Sequence, residues 1–565
     1  MGVTQAVEEC VAEAQARYEE ENECQVLRHI PCEAEILWCK LDHLLYFPIL
    51  GLTRPRDLYY YQGDGLRCLY DFTYKYLTME HFLGQLTRVQ VGSPLANALA
   101  YTYTQAWYPG QSSLYLFADW HVKPHWTKQY THSGHVTMWG RTMPGTKQLI
   151  LNGPKGYLVG GWNYPIDSHL ARVLVDLEEE LSQTLKRPIL CTIVDGEAGG
   201  LPVGERYAEA GRSYISVLSG QHHHRLAEFI LKGDWTPVVD DPSREAVFAY
   251  WADAEKASRD PRQFVLLRPI GQTEPTRIYT GLILDPIPAA VVPWLHRRRW
   301  PYNELRIREL VNGANLNENY GYTYDEVPHR TRQREWEKTQ VQVEVSQCKL
   351  NQRQEAIHNL RHKLRQLQDH YSQQHTDLEH RIVKQRHELR RRQQLGKPTR
   401  RCHNRLQRLR KERADCKTHF QKQQRRFLLG LHQHRTHSRQ LRQQLAERIA
   451  ARDTIDTETL CRERHLEKDQ IMLNLQILLG NLHDWVKQHY FAPEWRQLTL
   501  EKATQMIYRK SGRVTWYQDR IEVVLDPYDY YDQQRAMEVT CQQFNAANLC
   551  WRDGRLLRIT VRRKD

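Results

Sequence analysis

Short apolar runs mark the chain from Ser113 onward as a region of strands. LYLFADWHV and PILCTIVD have the length and the apolar content of buried strands. KQLILNG and GYLVGGW lie between Gly and Pro residues, and they predict two further strands that follow the first. The four runs therefore predict a strand-rich domain that begins at about residue 111.

A helical pattern interrupts these strands. The segment SHLARVLVDLEEELSQTL carries apolar residues on one helical face, namely Leu170, Val173, Leu174, Leu177 and Leu181. Asp167 is suited to cap the start of this helix. VGERYAEAG predicts a second helix and RSYISVLSG a further strand. This order of elements predicts an α/β fold with a mixed sheet. The order along the chain is three strands, a helix, a strand, a helix and a strand, which is that of an RNase H-like core.

The regions on either side of this core have different sequence patterns. Residues 1–110 mix helical periodicity with aromatic clusters and predict a small helical domain, for which DNA binding is a candidate role. Residues 221–285 contain QFVLLRP and RIYTGLIL, which predict a β-rich insertion within a domain of residues 111–330. After it, Pro301 is a helix-start signal for a charged helix that carries Glu304.

The last two regions differ from everything before them. Residues 331–470 are rich in Gln, Arg, His and Leu, and a GKPT break at 396–399 predicts two long helices folded back as an antiparallel coiled-coil hairpin. Residues 471–565 contain RVTWYQDR, IEVVLDP and RLLRITVRR, and they predict a small α+β domain.

Charge indicates a polyanionic partner. The chain has a formal net charge of +13 and a pI near 9.1. Residues 331–470 hold 34 Lys and Arg against 17 Asp and Glu. Two interpretations of this hairpin are open: its basic series binds the DNA backbone, or it is the solvated outer face of a dimerisation hairpin.

The cysteines and the N-terminus bear on location. Twelve cysteines are scattered without a CxxC pair, which favours reduced thiols over zinc sites or disulfides. The N-terminal segment is acidic and lacks the order of a signal peptide, and no run of about eighteen apolar residues occurs. We therefore expect a cytoplasmic protein without membrane association.

Three carboxylates carry the candidate chemistry. Asp119 projects from the run LYLFADWHV, and Asp195 ends PILCTIVD just before Gly196. Neighbouring carboxylates repel each other unless a cation binds, so two strand-end aspartates with Glu304 predict a site for two Mg²⁺ or Mn²⁺ ions. Each residue alone also fits a turn, a cap or a solvated salt bridge. Asp167 and Glu197 are close competitors.

Three motifs carry a family resemblance. FADWHVKP, TIVDGEAGG and RRRWPYNELRIREL resemble the acidic blocks of DDE-type transposases of bacterial insertion sequences, in the insertion-sequence-four-like family, over about residues 50–325. The resemblance implies an RNase H-like core in which Asp119, Asp195 and Glu304 are the catalytic metal-binding triad. It also implies Trp300 as the aromatic residue of the Glu block and Arg299 as a DNA-backbone contact.

The basic residues of the third motif depart from the family signature. That signature places Arg four residues before the Glu and Lys seven after it, where this chain has Trp300 and Val311. The residues expected to contact DNA are the basic and aromatic ones of this block, namely Arg298, Arg299, Trp300, Arg306 and Arg308.

The resulting expectation is a transposase that cleaves DNA at the ends of a mobile element and transfers the strands into target DNA. Its partners would be the terminal inverted repeats and the target DNA. The family resemblance also implies a second copy of the chain in a homodimer. Two alternatives stay open: a metal-dependent nuclease without strand transfer, and a domesticated or inactive relative that binds DNA or assembles through its coiled coil.

Two further groups of residues have less specific signals. Tyr59, Tyr60, Tyr61 and Trp107 would suit stacking on DNA, although most aromatic residues pack in cores. The run at 222–224 is a triple histidine, which is either a metal ligand or a surface turn.

Overall fold

The computed structural model describes residues 2–22, 34–63, 65–70, 73–127, 129–130, 132–199, 201–218, 226–259, 262–282 and 287–563. The chain forms two compact units. The core unit comprises Met1–Glu326 and Arg462–Asp565, and the hairpin unit comprises Val327–Cys461. The division of the sequence into four domains stays a prediction. In the structure, both terminal regions belong to the same compact unit as the sheet.

Among the described residues of the core unit, six α-helices precede the sheet. Their buried residues Phe47, Phe82 and Leu99 share one hydrophobic cluster with Leu149 and Leu473, which lie far along the chain. The N-terminal helices are therefore packed into the main core. They are α1 (Val3–Glu21), α2 (Ala34–Leu45), α3 (Phe47–Leu50), α4 (Gly65–Tyr70), α5 (Tyr76–Arg88) and α6 (Gly92–Trp107).

The first six strands belong to a large mixed sheet, and the apolar runs predict all of them except the short strand Ser133–Val136. They are β1 (Leu114–Pro124), β2 (Ser133–Val136), β3 (Arg141–Asn152), β4 (Leu158–Pro165), β5 (Ile189–Ile193) and β6 (Ser213–Val217). β1 is central, with β3 antiparallel on one side and β5 parallel on the other. β4 pairs antiparallel with β3, and β6 pairs parallel with β5.

Two helices connect the parallel strands. They are α7 (Leu170–Leu185) and α8 (Leu201–Glu209). α7 buries a regular apolar stripe, namely Leu170, Leu174, Leu177, Leu181 and Leu185, because these residues recur every three or four positions. The prediction of Asp167 as its cap is wrong. The helix begins after His169, and the N–H of Leu170 donates to Glu197 Oε1 at 3.3 Å.

The β-rich insertion extends this sheet. It contains β7 (Phe229–Val238), β8 (Asp241–Trp251), α9 (Ala254–Arg259), β9 (Gln263–Pro269) and β10 (Arg277–Leu282). β10 pairs antiparallel with β6, and β9, β8 and β7 follow in that order. Phe229, Trp251 and Phe264 fill its own small core, with ring centroids of the first two 4.8 Å apart.

A broken helix follows the insertion. α10 (Val292–Arg299) leads through a π-helical turn at Trp300–Glu304 into α11 (Leu305–Gly313). Pro301 therefore does not start the helix, and that prediction is wrong. The proline at the start is Pro293, whereas Pro301 lies inside the π turn. Proline is tolerated there because a π turn already disrupts the regular backbone hydrogen bonds of the helix.

The hairpin unit consists of two long helices, as predicted. After β11 (Tyr324–Pro328), the chain forms α12 (Arg330–Gln394) and α13 (Arg400–Asp453). Leu378 and Ile382 of α12 pack against Leu406 and Leu409 of α13, and Tyr371 stacks on Phe420 at 4.1 Å. The sequence separation between partners shows an antiparallel pair. β12 (Leu460–Arg464) pairs with β11 where the chain returns to the core unit.

The C-terminal part contributes an interior helix and a small sheet. α14 (Glu467–His489) contacts β4 closely, because a side chain at Gly161 would lie 2.6 Å from Ile477. Gln470 of α14 also accepts from the N–H of Asn163 at 2.7 Å, which satisfies the outer edge of β4. The remaining elements are α15 (Leu500–Ala503), β13 (Gly512–Trp516), β14 (Arg520–Leu525), α16 (Tyr531–Ala546) and β15 (Leu556–Val561).

Candidate metal-binding active site

Two of the three predicted carboxylates lie side by side in the sheet, Asp119 in the middle of β1 and Asp195 just after the end of β5, so the expectation that Asp119 ends its strand is wrong. Phe117 of β1 is in register with Ile193 of the parallel strand β5. Asp119 and Asp195 each lie two residues further along, so they come level with each other on the same side of their strands. The hydroxyl of Ser216 donates to the carbonyl oxygen of Asp195 at 2.6 Å, which fixes the segment after β5 against β6.

The third carboxylate comes from the broken helix. In the π turn, the N–H of Leu305 donates to the carbonyl oxygen of Trp300, five residues back. Two side chains five positions apart in a regular α-helix point about 140° away from each other. The extra residue of the π turn removes most of this difference. Arg299 and Glu304 consequently lie on one side of the helix, with Arg299 Nη2 2.5 Å from Glu304 Oε1.

The Arg299 guanidinium connects all three acids. Its Nη1 lies 2.6 Å from Asp119 Oδ2, and its Nη2 lies 3.5 Å from Asp195 Oδ1 in addition to the contact with Glu304. Side-chain exposure is 13% for Arg299 and 61% for Asp195, so the cluster is open to solvent on the Asp195 side. One cation faces three carboxylates, which leaves an excess of negative charge.

This imbalance changes the protonation of Asp119. Burial raises the pKa of Asp119 to about 7, the Arg299 charge opposes the rise, and the charges of Asp195 and Glu304 add to it. The N–H of Trp120 donates to Asp119 Oδ1 at 2.8 Å and favours the carboxylate form. A carboxyl with a pKa near neutrality between two other acids is the environment expected where a divalent cation binds.

His296 also belongs to this site, although the sequence analysis missed it. It lies one turn before Arg299 on α10, and its ring is 5.3 Å from that of Tyr279. Burial, then Arg299 and Arg277, lower the pKa of His296 to about 4, against the charge of Asp195. Its Nε2 is buried without a hydrogen-bond partner among the described residues. The only signal in the sequence is the histidine of WLHRRRW, which the three arginines obscure.

The other residues predicted to contact DNA have different surroundings. The Arg298 guanidinium lies over the rings of Trp294 and Tyr302 at 5.3 and 5.5 Å. Arg306 forms ion pairs with Glu309 and Asp484, so its charge is used inside the core unit. Trp300, 59% exposed, and Arg308 are at the surface beside the site. Their contacts with DNA stay predictions.

Glu197 and Asp167, the two acids that compete with the predicted triad in the sequence, lie outside the carboxylate cluster. Glu197 caps α7 and lies 3.9 Å from the ammonium of Lys147. Asp167 lies with His132 and Glu463 in a second cluster, whose ligand atoms are all within 4.8 Å of one another. The histidines at 222–224 lie outside the described residues.

The carboxylate cluster and the cluster around His132 differ in the atoms that they offer to a cation. The first cluster offers only carboxylate oxygens, the ligands that Mg²⁺ and Mn²⁺ favour. The second combines one imidazole nitrogen with two carboxylates, a set better suited to zinc and similar metals. Carboxylate oxygens are thus the kind of donor that the predicted magnesium or manganese site requires, and the site itself stays a prediction.

The aromatic residues that were predicted to stack on DNA differ in their exposure. Trp107 is buried, stacks on Tyr157 at 4.0 Å and donates to Asn481 Oδ1 at 3.1 Å, so it is a core residue. Tyr59 and Tyr60 are 70% and 72% exposed and are free to meet a partner surface. Among the described helices, none combines the length and the apolar character needed to cross a membrane.

Comparison with known proteins gives little direct guidance. No family model matches the chain, and no curated protein matches it. A solved structure of a piggyBac transposase synaptic complex with hairpin DNA aligns over 53% of this chain and 64% of that chain, with a TM-score of 0.31 and 10% sequence identity. A similarity at this level does not determine the function of this chain.

Proposed function

We propose that this protein is a DDE-type transposase that cuts DNA at the ends of a mobile element and joins those ends to target DNA. The observation that carries the proposal is the convergence of Asp119, Asp195 and Glu304 around one guanidinium. Convergence of three carboxylates from two strands and a helix is costly without a cation, and it is the arrangement that two-metal phosphoryl transfer uses.

The strand order supports an RNase H-like core. In the order β4, β3, β1, β5, β6, three antiparallel strands are followed by two parallel ones, with α7 and α8 as the connections. Asp119 on the central strand and Asp195 after its parallel neighbour occupy adjacent positions in this order. A metal site beside Asp195, whose side chain is 61% exposed, is accessible to a long polymer such as DNA.

The π turn supports the family resemblance at a position where the sequence departs from it. The family signature places an arginine four residues before the glutamate, where this chain has Trp300. Because the π turn adds one residue, Arg299 takes the spatial place of that arginine and contacts Glu304. Val311 still replaces the signature lysine. The bacterial insertion-sequence family is thus part of the proposal.

The residues have distinct roles in this proposal. Asp119, Asp195 and Glu304 hold the divalent ions, which when bound activate water or a 3′-hydroxyl and stabilise the leaving oxygen. Arg299 balances the acids before the ions bind and afterwards is free to contact a DNA phosphate. The exposed side chains of Trp300 and Arg308 lie beside the site and extend the contact surface to DNA.

Cleavage and joining of DNA test the proposal. The substrate is duplex DNA carrying the ends that flank the gene, with Mg²⁺ or Mn²⁺. We expect Asp119→Asn, Asp195→Asn and Glu304→Gln each to lower cleavage by about 10³-fold or more while DNA binding persists. Glu197→Gln is the matched control, since it removes a nearby acid that is outside the cluster. Full activity of any triad variant would refute the assignment.

Two alternatives have distinct signatures in the same assay. A nuclease would give metal-dependent cleavage by the wild type but no joined product at any ratio of target to donor DNA. The inactive-relative alternative is favoured by one observation, the position of Arg299 between the acids. It predicts DNA binding by the wild type without cleavage, and no metal binding at the three carboxylates.

A further inference from the structure

The hairpin unit has a strongly uneven distribution of charge. We define the distal segment as residues 381–426, which include the turn between α12 and α13. It contains 18 Lys and Arg against three Asp and Glu. The remainder of the hairpin unit, residues 327–380 and 427–461, contains 14 Lys and Arg against 11 Asp and Glu. The distal segment therefore has a net charge of +15, which exceeds the +13 of the whole chain.

These charges are available at the surface. Sixteen of the 18 basic residues are exposed, and the other two, Arg392 and Arg413, are half-buried. Within the described residues, the ion pairs of the distal segment involve only Arg381, Arg392 and Arg413. Among the described residues, the other fifteen basic side chains form no ion pair with an acidic group.

The apolar residues of the distal segment are already used within the chain. Ile382, Leu406 and Leu409 are buried between the two helices. Val383 and Leu395 are its exposed large apolar residues. A second hairpin placed on this segment would bring two charges of +15 together with little apolar surface to offset the repulsion. A dimer contact at this segment is accordingly disfavoured.

We propose that the distal segment binds the phosphate backbone of duplex DNA, independently of sequence and separately from the carboxylate site. This inference rests on the proposed function for the identity of the polyanion. On α13, the basic series from residue 400 to 426 spans about 40 Å at 1.5 Å per residue. That length matches about 12 base pairs of duplex. Exposed arginines at i, i+4 and i+7, namely Arg401, Arg405 and Arg408, provide one continuous row along the helix.

The salt dependence of binding by the full chain tests this proposal. The probe is a fluorescent duplex of about 40 base pairs without element ends, titrated between about 50 and 200 mM salt. The distal variant replaces Arg401, Arg405, Arg408 and Lys411 with Gln. The control variant replaces Arg361, Arg365, Arg435 and Arg439 with Gln, which removes four exposed charges from the nearly neutral remainder of the same helices. Circular dichroism verifies that both variants keep their helix content.

We expect the distal variant to reduce the slope of log K against log salt by about 2 to 4, because each lost phosphate contact contributes about 0.9. The control should change the slope by less than about 0.5. Equal changes in both variants would overturn the proposal, since they would show a general charge effect. Loss of binding to phosphatidylserine vesicles with unchanged DNA binding would overturn it in favour of a membrane surface.

The catalytic proposal and this one fail separately. Asp119→Asn leaves the distal segment intact, so it should bind the duplex with the wild-type salt slope whether or not it cleaves. A wild-type chain that never cleaves DNA but shows the distal effect would refute the transposase and retain the DNA-binding surface. Cleavage by the wild type with no distal effect would do the reverse.

Discussion

Strand β1 carries two charged clusters only four residues apart, and they differ in the balance of their charges. Around Asp119, one guanidinium faces three carboxylates, and the cluster is open to solvent. Around Lys123, the ammonium and the Arg464 guanidinium both pair with Asp469, and all three side chains are buried. Each cluster contains Asp and Arg side chains, and each has one member on β1.

The Lys123 cluster is enclosed, and its charged groups pair with one another and with neighbouring oxygen atoms. Lys123 Nζ lies 2.8 Å from Asp469 Oδ1 and donates to the carbonyl oxygen of Glu318 at 2.5 Å. Arg464 donates to Asn319 Oδ1 at 2.5 Å. Burial alone would raise the pKa of Asp469, but Lys123 and Arg464 more than offset this and lower it. This cluster joins β1, β12 and α14.

The comparison shows that burial of charge does not by itself identify a functional site. An enclosed cluster whose charges pair with one another contributes to the structure, and its removal harms folding. A partly open cluster with an excess of negative charge has capacity to bind a cation, and its removal harms function more than folding. Three variants test this distinction, from the largest expected effect to the smallest.

The largest effect is expected for Asp469→Asn. The substitution keeps the shape but leaves Lys123 and Arg464 buried without an opposite charge. The free energy of unfolding should fall by about 3–5 kcal/mol, measured by denaturant or thermal unfolding. Asp119→Asn is the matched variant on the functional side and should cost less than about 1 kcal/mol. Equal losses in both would contradict the distinction between the clusters.

A smaller, pH-dependent effect is expected for Glu178→Gln. Burial raises the pKa of Glu178 to about 7, while Thr192 and Tyr207 hydrogen bonds oppose the rise. The folded state therefore keeps a proton that the unfolded state releases above its ordinary pKa, so the wild type loses stability as pH rises from about 4.5 to 7. The variant lacks this loss. Its free energy of unfolding relative to the wild type should rise by roughly 2–3 kcal/mol between pH 5 and 8.

Glu179→Gln is the control for this experiment. Glu179 is the next residue on α7, and it pairs with Arg212 at the surface at 2.6 Å. An exposed pair of this kind contributes little, so the difference from the wild type should stay within about 0.5 kcal/mol at every pH. A flat profile for Glu178→Gln as well would show that its carboxyl is already ionised in the folded protein near pH 5.

The smallest effect concerns Arg299→Gln. The guanidinium occupies the space between the acids, so removing its charge should favour binding of a divalent ion. We expect the Kd for Mn²⁺ to fall by about tenfold, measured by titration calorimetry or by the metal-induced shift in Tm. Arg298→Gln is the control, because its guanidinium lies on Trp294 and Tyr302 instead. Weaker metal binding by Arg299→Gln would assign Arg299 a supporting role in the site.

The sequence by itself determined the local elements. Apolar runs identified β1, β5 and β6, helical periodicity identified α7, and a Gly-Pro break divided the two long helices. These features depend on neighbours within a few residues, so they can be read from the order of side chains. The large mixed sheet and the long helices are confirmed. The functions of Asp119, Asp195 and Glu304 stay predictions.

Only the tertiary structure decided which residues meet. The π turn at Trp300–Glu304 depends on one backbone hydrogen bond, and the sequence around Pro301 fits a helix start equally well. The same turn brings Arg299 to Glu304, and the fold buries Trp107 and assigns Arg306 to Asp484. These contacts join residues that are up to several hundred positions apart. Their partners are selected by packing and charge in three dimensions, which a one-dimensional pattern does not specify.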